Sequence, residues 1–277
     1  MLNNNKILIL GSSGYIGSEL IDALDLMGIK YAGLSRSANK KSTYNIDLLK
    51  CNVNDLVDIF SSFHSVIGLS WYVNHSDYKI SKLNIKWADT YINKILPALL
   101  ESKVNHFIGV GSCLEYGECI EGPIDKSQKL IPDTQYGISK LKVFQEFTSF
   151  EDMLCISWLR LFYVYGGNEN PNKLIPTIYN HAKKNIPFFF KNPDIVNDYV
   201  HVEHVVKCII SILQTRSMGV FNIGSGRPVR NYDLYNLISK KLKIPELNGK
   251  YSGHYCSDIY MKDNLDFIRT HVDKKND

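Results

Sequence analysis

The chain has 277 residues, 44% hydrophobic and 22% charged, enough apolar material for a sizeable core and no signature of disorder. Its formal charge of +4 is spread along the sequence and not gathered into a basic block, which argues against nucleic acid as a partner. No stretch of roughly 18 apolar residues occurs, and "MLNNNKILIL" lacks a cleavable apolar leader, so neither membrane spanning nor secretion is expected.

Short apolar runs alternate with helical patterns through the first 160 residues. "KILIL" (6–10), "KYAGL" (30–34), "SVIGL" (65–69), "HFIGVG" (106–111) and "LCISWLR" (154–160) read as buried strands. Between them "YIGSELIDALDLMG", "NDLVDIFSSF", "KWADTYINKILPALLESK" and "QYGISKLKVFQEFTSF" repeat apolar residues at three and four, as covering helices do. The rhythm predicts βαβ units on a parallel sheet: a Rossmann-like, doubly wound α/β domain over 1–160. Past Arg160 turn formers gather in "YGGNENPNKLIP" and "KKNIPFFFKNPDIVND", marking a smaller domain over 161–277. One strand near 218–225, "MGVFNIGSG", is expected to return to the first sheet. Six cysteines (Cys51, Cys113, Cys119, Cys155, Cys208, Cys256) lack a Cys-x-x-Cys pair, which suits reduced thiols in a cytoplasm and no metal site.

The stretch "GSSGYIG" follows the first strand and opens the first helix. Gly11, Gly14 and Gly17 are spaced G-x-x-G-x-x-G, which keeps the logic of a phosphate loop. Gly11 allows the sharp exit from the strand, Gly14 lets backbone N–H groups approach a pyrophosphate, and Gly17 lets the helix press on the sheet. No Asp or Glu occurs between Asp25 and Asp47, so the carboxylate that would grip a ribose 2′-hydroxyl is missing. Ser35 and Arg36 stand there instead, with Lys40 and Lys41 behind, and a guanidinium at that place suits the 2′-phosphate of NADP(H).

"YGISK" (136–140) sets Tyr136 and Lys140 one helical turn apart on one face. A nearby ammonium favours phenolate and is expected to lower the Tyr136 pKa toward working pH. Ser112, in "VGSCLEYG" at the end of a strand, belongs at the carboxyl edge of the sheet, where ligands bind in such folds.

These stretches, with "RLFYVYG" (160–166), "DYVHVEHVV" (198–206) and "FNIGSG" (221–226), are similar over residues 6–225 to the extended short-chain dehydrogenase/reductases acting on nucleotide-linked sugars. The resemblance implies that Ser112 hydrogen-bonds the substrate oxygen, Tyr136 exchanges the proton, and Lys140 binds the nicotinamide ribose. It implies Ser13, Tyr15 and Ile16 at the pyrophosphate, Asn52 (where relatives usually have Asp) and Val53 at the adenine, and Leu69 beside the cofactor. Ser112, Cys113, Tyr163, Asn168, Asn197 and Arg230 fall at substrate positions, although relatives carry Asn at Tyr163 and Arg at Asn197. A second diphosphate Arg near "YCSD" is absent, with His254 close by, and Arg227, Arg230 or Lys191 would have to substitute. Dehydratases need an Asp-Glu pair where Cys113 and Leu114 stand. Enzymes that also epimerise C3 and C5 place a Cys two residues after the Ser, so Cys113 reads as a packed thiol. What remains is NADPH-dependent reduction of a 4-keto-6-deoxyhexose nucleotide, with 4-epimerisation as the alternative and a non-catalytic NADP-binding sensor as a third. The resemblance also implies a homodimer through the "KWADTYINKILPALL" and "YGISKLKVFQEF" helices.

Overall fold

The computed structural model describes residues 6–117, 122–239 and 253–254. Strand β1 (Ile7–Leu10) is apolar at every position and wholly buried, as a central parallel strand covered on both faces requires. The chain turns at Gly11 into α1 (Tyr15–Leu26), which buries Gly17, Leu20, Ile21 and Leu24 against the sheet. Strand β2 (Tyr31–Ser35) pairs parallel to β1 from Ile7↔Tyr31 to Leu10↔Leu34, followed by the two-residue β3 (Tyr44–Asn45), α2 (Val53–Phe60) and β4 (Ser65–Gly68). Strand β4 lies on the other side of β1, Leu10 opposite Gly68.

The segment expected as one helix from Lys86 starts earlier and is broken. It comprises α3 (Leu83–Thr90), a π turn over Tyr91–Ile95, and α4 (Leu96–Glu101). Pro97 is the physical reason: it has no N–H to give and its ring crowds the carbonyl four residues back. The chain widens ahead of it, Leu96 N–H donating to Tyr91 O.

Strand β5 (His106–Ser112) runs into a short 3-10 turn (Cys113–Glu115), and α5 (Gln135–Thr148) and β6 (Cys155–Leu161) follow. Next come β7 (Tyr163–Tyr165), α6 (Leu174–Lys183), β8 (Val196–His201), α7 (Val202–Thr215), β9 (Gly219–Ile223), β10 (Pro228–Arg230) and α8 (Asn231–Ile238). The sequence pattern past Arg160 anticipates only β9 among these.

Seven strands form one sheet in the order β3-β2-β1-β4-β5-β6-β9, with β9 the returning edge strand, and β10-β8-β7 form a second, three-stranded sheet. Strand order reverses between β1 and β4, the switch point beyond whose carboxyl ends ligands bind in open α/β sheets. Two compact units result: Met1–Gly117 with Leu130–Arg160 and Ile209–Phe221, and Glu118–Lys129 with Leu161–Cys208 and Asn222–Asp277. The first is centred on Leu8, Leu10, Leu34, Val66, Phe107 and Trp158, the second on Tyr165, Ile178, Tyr199, Val229 and Leu234. Each such side chain contributes about 1.5–3 kcal/mol by leaving water. No described helix is long and apolar enough to cross a membrane.

Candidate active site

The glycine loop leaves no room for side chains at two of its three glycines. Gly11 has φ +87°, and a Cβ there would stand 2.9 Å from Ser70 N, whereas one on Gly17 would stand 2.2 Å from Gly11 O. Helix α1 has Gly14 as its N-cap, with no side-chain cap and no acidic residue in its first turn, so the positive end of its dipole is not offset there by a carboxylate. Ser13, Tyr15 and Ile16 lie on this turn, and Leu69 follows β4, its N–H on Leu10 O at 2.9 Å. The loop therefore fits a dinucleotide pyrophosphate.

At the end of β2, Ser35 is buried, its hydroxyl on Ser37 O at 2.7 Å and against Ser42 Oγ, and Arg36 is exposed. Lys40 is exposed as well, whereas Lys41 turns away to Asp22 at 2.5 Å and Ser18 O at 3.0 Å. Asn52 caps α2: its Oδ1 accepts from Asp55 N–H at 2.9 Å and the Asp55 carboxylate accepts from Asn52 N–H at 3.1 Å. Val53, the first helical residue, is half-buried.

Ser112, Tyr136 and Lys140 come together beyond β5. Ser112 caps the 3-10 turn, its Oγ accepting from Leu114 N–H at 3.2 Å, and it shares a hydrogen bond with the Tyr136 hydroxyl. Helix α5 starts at Thr134, whose Oγ1 accepts from Gly137 N–H at 3.0 Å, and this brings Tyr136 and Lys140 onto the sheet edge. Lys140 is 4% exposed; its Nζ donates to Val110 O at 2.7 Å and stands 5.8 Å from the Tyr136 ring centroid.

The expected depression of the Tyr136 pKa is not found. Burial pushes the phenol well above its ordinary range, Tyr78, Glu115 and Cys113 push the same way, and only the Ser112 hydrogen bond opposes them. Burial instead lowers Lys140 to about 7, with the Glu115 carboxylate pulling upward. The pair thus comprises a phenol that holds its proton and an amine that titrates near neutrality.

Two groups beside the trio carry no signal in the helix and strand periodicities. Glu115 is fully buried; its carboxylate accepts from Ser112 N–H at 2.9 Å, Trp158 Nε1 at 3.1 Å and Arg160 Nε at 2.7 Å. Arg160 also donates to the Tyr116 hydroxyl at 3.0 Å and packs over the Tyr116 and Phe144 rings. The ion pair fixes the backbone that carries Ser112, and Gly111 leaves the room, since a Cβ there would meet Glu115 Oε1 at 2.1 Å. "SCLE" is a readable capping box, Ser followed by Glu three residues on. The second group is Trp71, whose ring lies under Lys140. Cys113 is buried at 3% exposure.

In the second unit, the Tyr163 hydroxyl lies 2.9 Å from His254 Nδ1. Asn197 is buried, its Oδ1 accepting from His254 N–H at 3.2 Å and its amide donating to the Tyr199 hydroxyl at 3.3 Å. Asn197 is thereby committed at both ends inside the unit. Asn168 and Arg227 are exposed, and Arg230 precedes α8 with Nε 3.7 Å from Asp233 Oδ2. Asp198, fully buried, accepts from Ser225 N–H and Oγ, both at 2.6 Å, and from Gly226 N–H at 2.9 Å, tying β8 to the "IGSG" turn. Cys51, Cys113, Cys155 and Cys208 are thiols; Cys119, Cys256 and "YCSD" lie outside the described residues.

Strand order, the position of the glycine loop and the Tyr–Lys pair place the chain among the extended short-chain dehydrogenase/reductases. It belongs to the NAD dependent epimerase/dehydratase family, whose model matches residues 7–224. It is 27% identical over 248 residues to UDP-glucose 4-epimerase of Corynebacterium glutamicum, covering 80% of this chain and 75% of that protein. It is 23% identical over 234 residues to dTDP-6-deoxy-L-talose 4-dehydrogenase (NAD(+)) of Aggregatibacter actinomycetemcomitans, covering 80% and 85%. The solved UDP-N-acetylglucosamine 4-epimerase from Methanobrevibacter ruminantium has the same fold, with TM-score 0.81, 21% identity and 98% of both chains covered.

Proposed function

We propose that the protein is a cytoplasmic NADPH-dependent reductase of the 4-keto group of a nucleotide-linked 4-keto-6-deoxyhexose. The observation that carries the cofactor choice is the end of β2, where no carboxylate stands, Ser35 is tied into the loop and Arg36 is exposed beside it. When bound, a reduced nicotinamide would supply the hydride for C4. Ser112 donates a hydrogen bond to O4, Tyr136 delivers its proton there, and Lys140 holds the nicotinamide ribose and keeps positive charge near the phenol as the proton leaves. A phenol that keeps its proton in the folded protein suits the donor role.

A second reading, 4-epimerisation with a retained dinucleotide, is favoured by the similarity to UDP-glucose 4-epimerase. The same three residues would serve it, with Tyr136 removing and returning the O4 proton. Incubation with NADPH and CDP-, dTDP-, UDP- and GDP-linked 4-keto-6-deoxyhexoses tests the choice. Oxidation of the cofactor with one of them is expected; oxidation with none overturns the reductase reading. Conversion of a 4-hydroxyl sugar nucleotide without added cofactor establishes the epimerase. The proposal includes a homodimer through the segments 86–100, from α3 through the π turn into α4, and 136–147 of α5, where Ile138 is 46% exposed. Light scattering at the mass of one chain overturns that part.

A further inference from the structure

Lys140 and Tyr136 rest on a residue outside the trio. Trp71 lies in the segment between β4 and α3, and Lys140 Nζ stands 3.7 Å from the centroid of its ring. Tyr136 meets the same indole edge-on, with centroids 6.3 Å apart and planes at 89°. The indole is fixed from behind as well. Its Nε1 donates to Asn84 Oδ1 at 2.9 Å, and Asn84, fully buried, gives its amide to Tyr78 O at 2.6 Å and Ser81 O at 2.9 Å. Trp87 stacks on Trp71 at 6.3 Å and 28°, and Tyr91 tilts against it at 5.5 Å. Tyr91, at the start of the π turn, donates its hydroxyl to Ser70 O at 2.9 Å and so anchors the residue next to Trp71.

These contacts hold the plane of the ring, and the plane is what an ammonium responds to. The face of an indole carries the negative lobe of its quadrupole, and the attraction grows when water is excluded. Lys140, buried at 4% exposure, has one carbonyl, Val110 O, as its hydrogen-bond acceptor here, so the ring face supplies the remaining negative potential at close range. The other groups bearing on the ammonium are Tyr136 on its own helix and the Glu115 carboxylate on the 3-10 turn; Tyr136 is in turn faced by Tyr78, Cys113 and Ser112.

We propose that Trp71 is a positioning residue for Lys140: its ring face seats the ammonium beside Tyr136, and Asn84 sets the plane of that seat. The consequence for catalysis rests on the reductase reading, whereas the seat is a property of the folded chain. An ammonium on the ring changes the emission of the indole, so the titration of Lys140 near 7 is visible in tryptophan fluorescence with no cofactor or substrate present.

The test uses the full chain and its three tryptophans, Trp71, Trp87 and Trp158. Wild-type emission is expected to change with pH around neutrality, and the change is expected to vanish in Lys140→Met and in Trp71→Phe. A transition that persists in Lys140→Met, or wild-type emission flat across that range, overturns the proposal. In turnover, Trp71→Leu is expected to lower kcat about tenfold with KM within about threefold, and Trp71→Phe, which keeps a ring face, to recover to within about threefold. A folded Trp71→Leu protein with wild-type kcat also overturns it. Lys140→Met decides the matter even where Trp71→Leu does not fold. If no 4-keto sugar nucleotide is reduced while the emission change depends on both residues, the seat stands and the reductase reading alone fails.

Discussion

Replacing Glu115 by Gln tests whether the buried carboxylate holds the Ser112 end of the site. Glu115 and Arg160 are 0% and 2% exposed at the side chain, with Arg160 Nε 2.7 Å from the carboxylate, and Ser112 N–H and Trp158 Nε1 converge on the same group. Glutamine keeps the volume but offers one acceptor oxygen where the carboxylate offers two, and it leaves a guanidinium buried without its counter-charge. Removing one partner of a buried pair costs about 3–5 kcal/mol. Urea unfolding followed by tryptophan emission reads this out: with a slope of about 2–3 kcal/mol per molar, the midpoint should fall by roughly 1.5 M. A double replacement, Glu115→Leu with Arg160→Met, removes both charges and should recover most of the stability. It still leaves Ser112 N–H without its acceptor, so turnover should stay low while the fold returns. A midpoint for Glu115→Gln within about 0.3 M of wild type would refute the reasoning.

Gly17→Ala puts a methyl group 2.2 Å from Gly11 O, so α1 must shift off the loop; about 1–3 kcal/mol of stability and most NADPH affinity should be lost, measured by thermal unfolding and by fluorescence titration. Arg36→Glu should weaken NADPH binding about tenfold or more and NADH binding only a few-fold, since a charge-assisted bond to the 2′-phosphate becomes a repulsion. Equal losses for the two cofactors would remove Arg36 from that role. His106, 1% exposed with Nε2 2.7 Å from Ser157 Oγ, is lowered by burial and by Arg216 to about 4. The unfolded chain takes up this proton at the ordinary 6.5, so the stability it contributes is present above that pH and is lost as pH falls toward 4, by up to about 3 kcal/mol. His106→Gln should flatten that acid limb in a series of melting temperatures against pH.

Much of the first unit was legible because parallel strands covered on both faces read as unbroken apolar runs, as "KILIL" and "SVIGL" do. Strand β3 is two residues long and leaves no period to detect. The π turn is the work of one residue, Pro97, inside an otherwise regular pattern. Strand β8 was hidden for a different reason: "VNDYVH" reads as polar but is buried throughout, because Asp198 and Asn197 find partners on other segments. At the candidate site, Gly11 and Gly17, like Tyr136 and Lys140, stand out by spacing, and Ser112 by its place at the end of an apolar strand. Glu115 and Arg160 were readable in principle, as a capping-box glutamate and a lone charge within an apolar strand. Trp71 carries no such mark, for its role depends on which face of the ring Lys140 meets in three dimensions. The Tyr136 pKa went against expectation because proximity to a cation is legible in a sequence and desolvation is not.

The most direct measurement of the central claim is transfer from NADPH deuterated at both C4 hydrogens of the nicotinamide to a nucleotide-linked 4-keto-6-deoxyhexose, read by NMR of the product. A single deuterium at C4 of the sugar, with one cofactor oxidised per sugar and the signal lost in Tyr136→Phe, is the expected result. Recovery of the 4-keto sugar unchanged, with no deuterium at C4 and no cofactor consumed, would contradict it.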